Sequence, residues 1–395
     1  MNSDEFGHTQ GSIMESLEAY RQAADRLSRD TSESNNNPNA INSFKEEARR
    51  IEHDLSNQLS RTRRILVIGG AGFIGSVLTR RLINRGYSVR ILDNLLYDNF
   101  SSISDIEFNE EIDFIQGDFL EPKTLATALN GITDIVLLAA LVGDPICSKY
   151  PEQAIQINQN GTIELIDTLK NYPINKLVFA STCSNYGIHD GIQAATEDAE
   201  LTPLSIYAET KVAVEKYLMR QRGKLEYAPT ILRFATAYGI GQRTRFDLTI
   251  NHFTRDLALG NKLTVYDEDT YRPYCHINDI SDAIISVLEA PRSLIDFQVF
   301  NVGSNIDNHS KRGVIEIIKK YLPEASVEYG QNGNDPRDYR VDFSKIESVL
   351  NFEPKHSAHT FIADLIDAIN NNRFGEVETN PNFHGNYIIP KYELQ

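Results

Sequence analysis

Residues 64–75 read Arg-Ile-Leu-Val-Ile-Gly-Gly-Ala-Gly-Phe-Ile-Gly, and this stretch decides the fold. The short apolar run before the glycines is typical of a buried parallel strand. After the glycines, Val77, Leu78 and Leu82 recur at helical spacing. Gly86 then suits the end of that helix. A strand, a glycine turn and a helix in this order predict the first βα unit of a doubly wound sheet.

The same glycines predict a binding site. Gly69, Gly72 and Gly75 permit a tight turn and let backbone N–H groups approach a pyrophosphate at the positive end of a helix. Phe73 and Ile74 complete the loop. A glycine turn without a ligand is the alternative interpretation. The strand before the turn and the helix after it favour a dinucleotide instead.

Residues at the ends of later strands extend the predicted cofactor site. Asp93 ends the second strand, where a carboxylate accepts hydrogen bonds from the adenosine ribose and repels a 2′-phosphate, which favours NAD over NADP. The alternative is that Asp93 caps a turn. The other predicted cofactor contacts are Asn94 beside it, Asp118 and Phe119 after the third strand, and Ala139 and Ala140 after the fourth.

The pentad from Tyr207 to Lys211 predicts acid/base chemistry. These two residues are four positions apart and therefore share one face of a helix. Tyrosine is a poor base at neutral pH because its reference pKa is about 10. A neighbouring ammonium and a positive nicotinamide ring lower that pKa by stabilising the phenolate. Thr182, at an earlier Ser-Thr strand end, supplies a hydroxyl that orients the alcohol of a substrate.

Alternating strands and helices predict an α/β fold built on a doubly wound parallel sheet of Rossmann type. The predicted strands are 64–68, 87–92, 113–116, 132–140, 176–180 and 229–234, and the clearest helices are 76–84, 151–171 and 206–220. We expect residues 63–240 to form the NAD-binding domain, with later segments returning to it. Residues 241–395 are expected to form mainly a smaller, mixed substrate-binding lobe.

Residues 1–62 differ in composition from the remainder. Ser, Asn and Asp are frequent over residues 29–43, and weakly amphipathic segments flank that stretch. We expect a partly disordered or helical N-terminal extension. A docking helix for a partner or a second subunit is the alternative.

Composition excludes several classes of partner and site. A net charge of −16 disfavours nucleic acid and anionic membranes, which reward clustered Lys and Arg. The three cysteines are few and widely spaced, so we expect no disulfide framework, no metal site and a reducing, cytoplasmic setting. The longest apolar run, residues 135–142, is far too short to span a bilayer, and the N-terminus lacks the apolar core of a signal peptide.

From residue 63 to about residue 355 the chain resembles the extended short-chain dehydrogenase/reductase family, specifically its nucleotide-sugar epimerase/dehydratase branch. The motifs that carry the resemblance are the glycine loop, Asp93-Asn94, Asn158 in Asn-Gln-Asn-Gly-Thr, residues 181–187, the 207–211 pentad, residues 232–234 with 238–239, residues 272–277, residues 342–345 and residues 352–354. The resemblance implies bound NAD, a nucleoside-diphosphate sugar as substrate and hydride abstraction from a ring carbon, usually C4.

The resemblance also implies roles for individual residues. Thr182, Tyr207 and Lys211 match the catalytic triad of the family. Asn158 matches its structural asparagine, which we group with the cofactor site.

On the substrate side, Arg272 matches a phosphate contact, and Arg337 is a second candidate for that role. Thr236 stands where many 4-epimerases carry an asparagine beside the nicotinamide and the sugar. Family members commonly dimerise through the helices that correspond to 151–171 and 206–220, so a homodimer is implied.

Several reactions share this framework. A 4-epimerase recycles its own hydride through a transient 4-keto sugar and needs nothing beyond the triad, so it is the preferred hypothesis. A keto-sugar reductase or a dehydrogenase on the same triad is the alternative. A 4,6-dehydratase is disfavoured because Cys183 and Ser184 stand where an Asp-Glu pair is required, and a non-catalytic NAD-binding scaffold because the triad is intact. We expect Cys183 to be a buried, inert thiol rather than an acid/base group.

The substrate side also departs from the family pattern. Pro273 replaces an acidic residue that is common after the arginine, and the loop 241–246 differs from the usual substrate loop. These departures leave the identity of the sugar open.

Overall fold

The computed structural model describes residues 63–188, 193–330, 333, 337–375, 377 and 383–389. The predicted N-terminal extension, residues 1–62, lies outside the described residues. The strands are β1 Arg64–Ile68, β2 Ser88–Asp93, β3 Ile112–Gln116, β4 Asp134–Leu137, β5 Lys176–Thr182, β6 Ala228–Phe234, β7 Thr236–Tyr238, β8 Leu263–Tyr266, β9 Tyr271–His276, β10 Gln298–Val302, β11 Asn308–Ser310 and β12 Val327–Gly330.

Helices alternate with these strands. The α-helices are Phe73–Asn84, Pro122–Leu129, Asp144–Lys149, Pro151–Ala154, Thr162–Thr168, Ile206–Arg220, Thr249–Ala258, Ile277–Glu289, Arg292–Ile295, Lys311–Tyr321, Ser344–Leu350 and Ala358–Asn370. A π-helical segment, Ile155–Gly161, joins the helices on either side of it. Short 3₁₀ turns cover Asn99–Ser102, Leu169–Asn171, Cys183–Tyr186 and Asn305–Asp307.

The main sheet has seven strands in the order β10-β6-β5-β4-β1-β2-β3, and every pairing within it is parallel. Alternate side chains of β1 pack into two different cores. Ile65 and Val67 belong to one, and Leu66 and Ile68 belong to the other. Helices therefore cover both faces, as parallel sheets require. The predicted doubly wound sheet of Rossmann type is confirmed.

The topology fixes where a ligand site is built. The chain runs outward from β1 in both directions, to β2 and β3 on one side and to β4, β5 and β6 on the other. Ligands of such sheets bind beyond the carboxyl ends of the strands at this switch point. The glycine loop follows β1, Asp93 ends β2 and Thr182 ends β5. All three therefore lie along the same edge of the sheet.

A smaller, mixed part completes the fold after β6. It contains a three-stranded sheet, β11-β9-β7, and a two-stranded sheet, β12-β8, around a third hydrophobic core. The strand β10 returns to the main sheet beside β6. No helix among the described residues is both long and apolar enough to cross a membrane.

Two predicted elements differ from the structure. The fourth strand was expected over residues 132–140 but ends at Leu137, because the N–H groups of Leu138 and Ala139 both turn to the carbonyl of Ile68, each at 2.9 Å. The helix expected over 151–171 contains the π-helical segment Ile155–Gly161. Such segments are rare and frequently lie at functional sites.

A buried ion pair fixes the helix Ile206–Arg220 against the sheet. Glu215 of this helix receives hydrogen bonds from Arg233 of β6, including one of 2.7 Å, and both side chains are buried. The same carboxylate accepts from Asn185 at 2.8 Å and from the hydroxyl of Ser181. A buried pair of this kind costs desolvation free energy and is tolerated because its hydrogen bonds are satisfied. The orientation of this helix is therefore specified by polar contacts as well as by apolar packing.

Candidate active site

A cavity of about 450 Å³ opens at the carboxyl edge of the main sheet, within the size range of small-molecule sites. With one exception, the predicted site residues line it. They are Gly69, Gly72, Phe73, Ile74, Gly75, Asp93, Asn94, Asp118, Phe119, Ala139, Ala140, Thr182, Tyr207, Lys211, Thr236, Arg272 and Arg337. The glycine turn and the phenol of Tyr207 therefore share one cleft.

The glycine turn leaves a cradle that side chains would fill. Gly69 has a φ of +89°, and a Cβ there would lie 2.6 Å from the backbone nitrogen of Ala139. A Cβ on Gly75 would lie only 2.1 Å from the carbonyl oxygen of Gly69. Gly72 precedes the helix Phe73–Asn84 and offers no side-chain cap, and the first turn carries no acidic residue. Backbone N–H groups at a helix start without a competing anion fit the pyrophosphate of a dinucleotide.

Asp93 organises the loops around this cradle. Its carboxylate accepts from the backbone N–H of Ala71 at 3.0 Å and of Leu95 at 2.9 Å. It therefore caps a turn, as the alternative interpretation held, and it also lines the cavity. Two bonds do not exhaust the acceptor capacity of a carboxylate, so contact with a ribose remains compatible with this role. Beside it, the amide of Asn94 donates to Asp118 at 3.2 Å.

Asn158 is the exception among the predicted site residues. It is buried in the π-helical segment and does not line the cavity. Its side-chain oxygen accepts from the N–H of Leu141 at 2.8 Å, and its amide donates to the Leu141 carbonyl at 2.9 Å. The structure thus places it behind the cavity wall, where it holds the segment after β4. Its grouping with the cofactor contacts is corrected to a positioning role.

The helix Ile206–Arg220 and strand β5 present the predicted triad. Ser205 caps the helix by accepting from the N–H of Ala208 at 3.3 Å, which puts Tyr207 in the first turn. The phenol of Tyr207 lies beside the side chain of Thr182. The hydroxyl of Thr182 accepts from the backbone N–H of Ser184 at 3.1 Å. One turn later, the ammonium of Lys211 donates to the carbonyl of Ala180 at 2.8 Å. Phenol, hydroxyl and ammonium are therefore held at one end of the cavity.

The electrostatics of Tyr207 differ from the sequence-based expectation. Burial is the largest influence and raises the pKa of the phenol, and the nearby Cys147 and Asp144 raise it further. The guanidinium of Arg245 and the side chain of Thr182 act in the opposite direction. Burial also lowers the pKa of Lys211, to about 8. The protein alone therefore keeps Tyr207 protonated, and the cation that lowers its pKa here, Arg245, was not singled out from the sequence.

Arginines and aromatic rings also line the cavity. Arg272 stacks over the ring of Tyr339 at 5.3 Å and donates to the carbonyl oxygens of Tyr271 and Arg337. Arg337 pairs with Asp144, with 2.6 Å between the charged atoms. Both arginines thus face the cavity in fixed positions.

Sequence reasoning missed part of the cavity lining. The missed lining residues include Tyr97, Arg243, Arg245, Asp247, Asn386 and Tyr387. Arg243 and Arg245 belong to the loop 241–246, whose departure from the family pattern was the available signal. Asn386 and Tyr387 come from the C-terminal segment, where no motif pointed to a site.

Cys183 lies outside the cavity and is buried in the main core. Its thiol donates to the carbonyl of Arg233 at 3.2 Å, and burial raises its pKa. A thiol in this state is a poor acid/base group at neutral pH, in agreement with the expected inert thiol.

A profile of the NAD dependent epimerase/dehydratase family matches residues 65–303, more than half of the chain. The chain belongs to this family. As the resemblance predicted, it is an enzyme of the NAD-dependent class. The cofactor favoured from the sequence, NAD, is confirmed by the family match and by similar structures that contain NAD.

Individual family members are similar over most of their length. The UDP-glucose 4-epimerase of Corynebacterium glutamicum is 26% identical over 311 residues, which cover 74% of this chain and 92% of that protein. The UDP-glucose 4-epimerase of Lactobacillus helveticus is 28% identical over 313 residues, covering 74% and 92%. The crystal structure of UDP-glucuronic acid 4-epimerase from Bacillus cereus, in complex with UDP-glucuronic acid and NAD, superimposes with a TM-score of 0.70 at 27% identity. That match covers 78% of this chain and 99% of the other.

Gly75→Ala is expected to weaken NAD binding by more than about tenfold, equivalent to about 1.4 kcal/mol. The added Cβ would lie 2.1 Å from the Gly69 carbonyl oxygen, so the turn must open. Calorimetric titration with NAD measures the change. Gly313→Ala is the matched control, because its Cβ meets nothing closer than 3.5 Å. Equal NAD affinity in the two variants would contradict the assignment of the cradle.

Proposed function

We propose that this protein is a nucleotide-sugar 4-epimerase that acts through a transient 4-keto sugar. The observation that supports it is the placement of Tyr207, beside Thr182, in the same cavity as the glycine cradle. Two carboxylates of the cavity lining, Asp144 and Asp247, are each held in an ion pair with an arginine. They are therefore poor candidates for the additional acid and base that elimination of water requires.

In this proposal Tyr207 moves the proton. Bound NAD supplies reversible two-electron oxidation at a carbon of the sugar. Thr182 orients the C4 hydroxyl. Tyr207, as the phenolate that nearby positive charges stabilise, accepts the proton of that hydroxyl as the carbonyl forms. After the keto sugar has presented its other face, Tyr207 returns the proton to the same oxygen. Lys211, anchored on the carbonyl of Ala180, fixes a cation close to these groups.

The proposed substrate is a UDP-linked hexose or hexuronic acid. The relatives described above carry the names of enzymes for UDP-glucose and UDP-glucuronic acid. Arg272 and Arg337 line the cavity and offer fixed guanidinium groups to the phosphates. Arginine suits this task because its planar group binds phosphate oxygens in pairs.

Tyr207→Phe is expected to lower turnover by about 10² to 10⁴-fold, the usual contribution of a positioned acid/base group. NAD affinity should stay unchanged, because only the hydroxyl is removed. Product analysis by NMR with UDP-glucose and UDP-glucuronic acid, alongside absorbance at 340 nm, measures the reaction. Wild-type turnover in the variant would exclude Tyr207 as the base. Accumulation of NADH with the wild-type enzyme would favour a dehydrogenase instead.

We further propose a homodimer formed through the helices corresponding to residues 151–171 and 206–220. The exposed apolar side chains of Ile155 and Met219, on the segments Ile155–Gly161 and Ile206–Arg220, support this arrangement. Sedimentation equilibrium should give twice the chain mass of 44.6 kDa. A single-chain mass at micromolar concentration would contradict the proposal.

We also propose a cytoplasmic location. All three cysteines are free and buried, which suits a reducing compartment. Cell fractionation tests this location, and recovery in an extracellular fraction would contradict it.

A further inference from the structure

Arg243 is a buried cation that makes no ion pair among the described residues, although the carboxylates of Asp247 and Asp93 favour its charge from a longer distance. Its side chain faces the cavity and is nearly inaccessible to solvent. It donates to the side-chain oxygen of Asn386 at 3.0 Å and to the carbonyl of Gly385 at 3.4 Å. Among the described residues, no carboxylate lies within ion-pair distance of it. Uncharged acceptors of this kind orient a guanidinium but leave its charge uncompensated.

Arg245 of the same loop and Arg337 differ in this respect. Arg245 pairs with Asp247 at 2.5 Å, and Arg337 pairs with Asp144 at 2.6 Å. Burial and the neighbouring Arg245 lower the pKa of Arg243 to about 10. The group therefore remains charged at neutral pH although its surroundings disfavour the charge. A buried cation that faces a cavity in this state is suited to an anionic ligand.

A second polar group in the same place also awaits a partner. The guanidinium of Arg243 stacks on the ring of Tyr97, 4.5 Å from its centroid. The hydroxyl of Tyr97 is buried and has no hydrogen-bond partner among the described residues. Tyr97 lines the cavity too. A buried hydroxyl is normally satisfied, so its partner is expected to come from a ligand.

The position of the loop 241–246 indicates which kind of anion would bind to Arg243 and Tyr97. Gly241, two residues before Arg243, is packed so that a Cβ would lie 3.3 Å from the ring of Phe73, the first residue of the helix after the glycine turn. Tyr97 follows β2 and the cofactor residue Asp93. Arg243 and Tyr97 thus face the cavity from the side of the pyrophosphate cradle. Guanidinium and hydroxyl donors close to a cradle of N–H groups are suited to phosphate oxygens.

The C-terminal segment fixes this arrangement. Asn386 accepts from Arg243, and its own amide donates to the carbonyl of Val142 at 3.2 Å. Its backbone N–H donates to Asp247 at 3.3 Å. Ile389 is fully buried against Leu141 and Ile146. The segment 383–389 therefore ties the loop 241–247 to the residues after β4 and holds Arg243 over the cavity.

We propose that Arg243 and Tyr97 form a diphosphate-binding subsite, held in place by Asn386. The group bound there belongs to the cofactor or to the nucleotide sugar, because both carry a diphosphate. The proposal rests on the proposed function only in naming these two ligands. It adds a third arginine to the phosphate-facing set and assigns a role to the C-terminal segment.

The test compares binding rather than turnover in the full-length protein. Arg243→Gln is expected to lower the affinity for one diphosphate ligand, NAD or the nucleoside diphosphate, by at least tenfold, about 1.4 kcal/mol. Tyr97→Phe should lower the affinity for the same ligand by roughly two- to tenfold, the range expected for one neutral hydrogen bond. Arg243→Lys should recover part of the loss, since it keeps the charge without the planar fork. Calorimetric titrations use NAD in one arm, and UDP, TDP, GDP, CDP and ADP in the other.

Arg222→Gln is the matched control. Arg222 also stacks on an aromatic ring, that of Phe297 at 5.2 Å, and donates to a carbonyl, but it lies outside the cavity. If Arg243→Gln binds NAD more weakly but nucleoside diphosphates with unchanged affinity, the subsite belongs to the cofactor. The reverse would assign it to the sugar nucleotide, and either result supports the proposal.

The proposal is overturned by one result. It is that Arg243→Gln, shown by circular dichroism to be folded, binds NAD and every nucleoside diphosphate with the same affinity as the control variant. Failure of the proposed function is a separate result. A protein that epimerises no nucleotide sugar but loses NAD affinity on Arg243→Gln would retain the subsite and lose the reaction.

Discussion

The close approach of two strand ends is the constraint on which the active site depends. After β1 the backbone of Gly69 passes so near the segment after β4 that a Cβ would lie 2.6 Å from the nitrogen of Ala139. Only a residue without a side chain fits there, and its φ of +89° favours glycine as well. This contact starts the turn that leads into the helix Phe73–Asn84. It also fixes the small-residue wall at Ala139 and Ala140, which Asn158 supports from behind through Leu141.

The catalytic helix is set against this cradle by a different kind of interaction. The buried pair of Glu215 and Arg233 joins the helix Ile206–Arg220 to β6, and Ser181 and Asn185 extend the contact to the end of β5. The phenol of Tyr207 and the hydroxyl of Thr182 consequently meet at the same strand end. Because burial raises the pKa of that phenol, its proposed action as a base depends on positive charges nearby. Arg245 is one of them, and it comes from the loop after β7.

The sequence was sufficient for the fold and for most of the residues found to line the cavity. Glycine spacing and the apolar run of β1 report directly on backbone geometry, so the cradle and the order of strands follow from local patterns. Asn158 was harder to place, because a motif names a residue without saying which side of a wall it occupies. The influences on the pKa of Tyr207 within the protein could not be read from the sequence for a related reason. Spacing along a helix reveals Lys211, whereas burial and the field of Arg245 arise only from tertiary packing.

The contacts of the C-terminal segment were even harder to predict from the sequence. Asn386 reaches the cavity through partners that lie more than a hundred residues away in the chain, Arg243 and Val142. No local pattern predicts such contacts. The loop 241–246 was at least recognisable as a departure from the family pattern, and two of its arginines proved to face the cavity. The departures from the family pattern therefore pointed to a part of the cavity lining that the matching motifs did not indicate.

The fate of the hydrogen on C4 tests the account most directly. Incubation of the enzyme with UDP-glucose or UDP-glucuronic acid deuterated at C4, followed by NMR of the epimer, reports where that hydrogen goes. The account predicts that the product retains deuterium at C4 and that no NADH is released. Loss of the deuterium to solvent, or its recovery in free NADH, would contradict the removal and return of hydride within a single closed site.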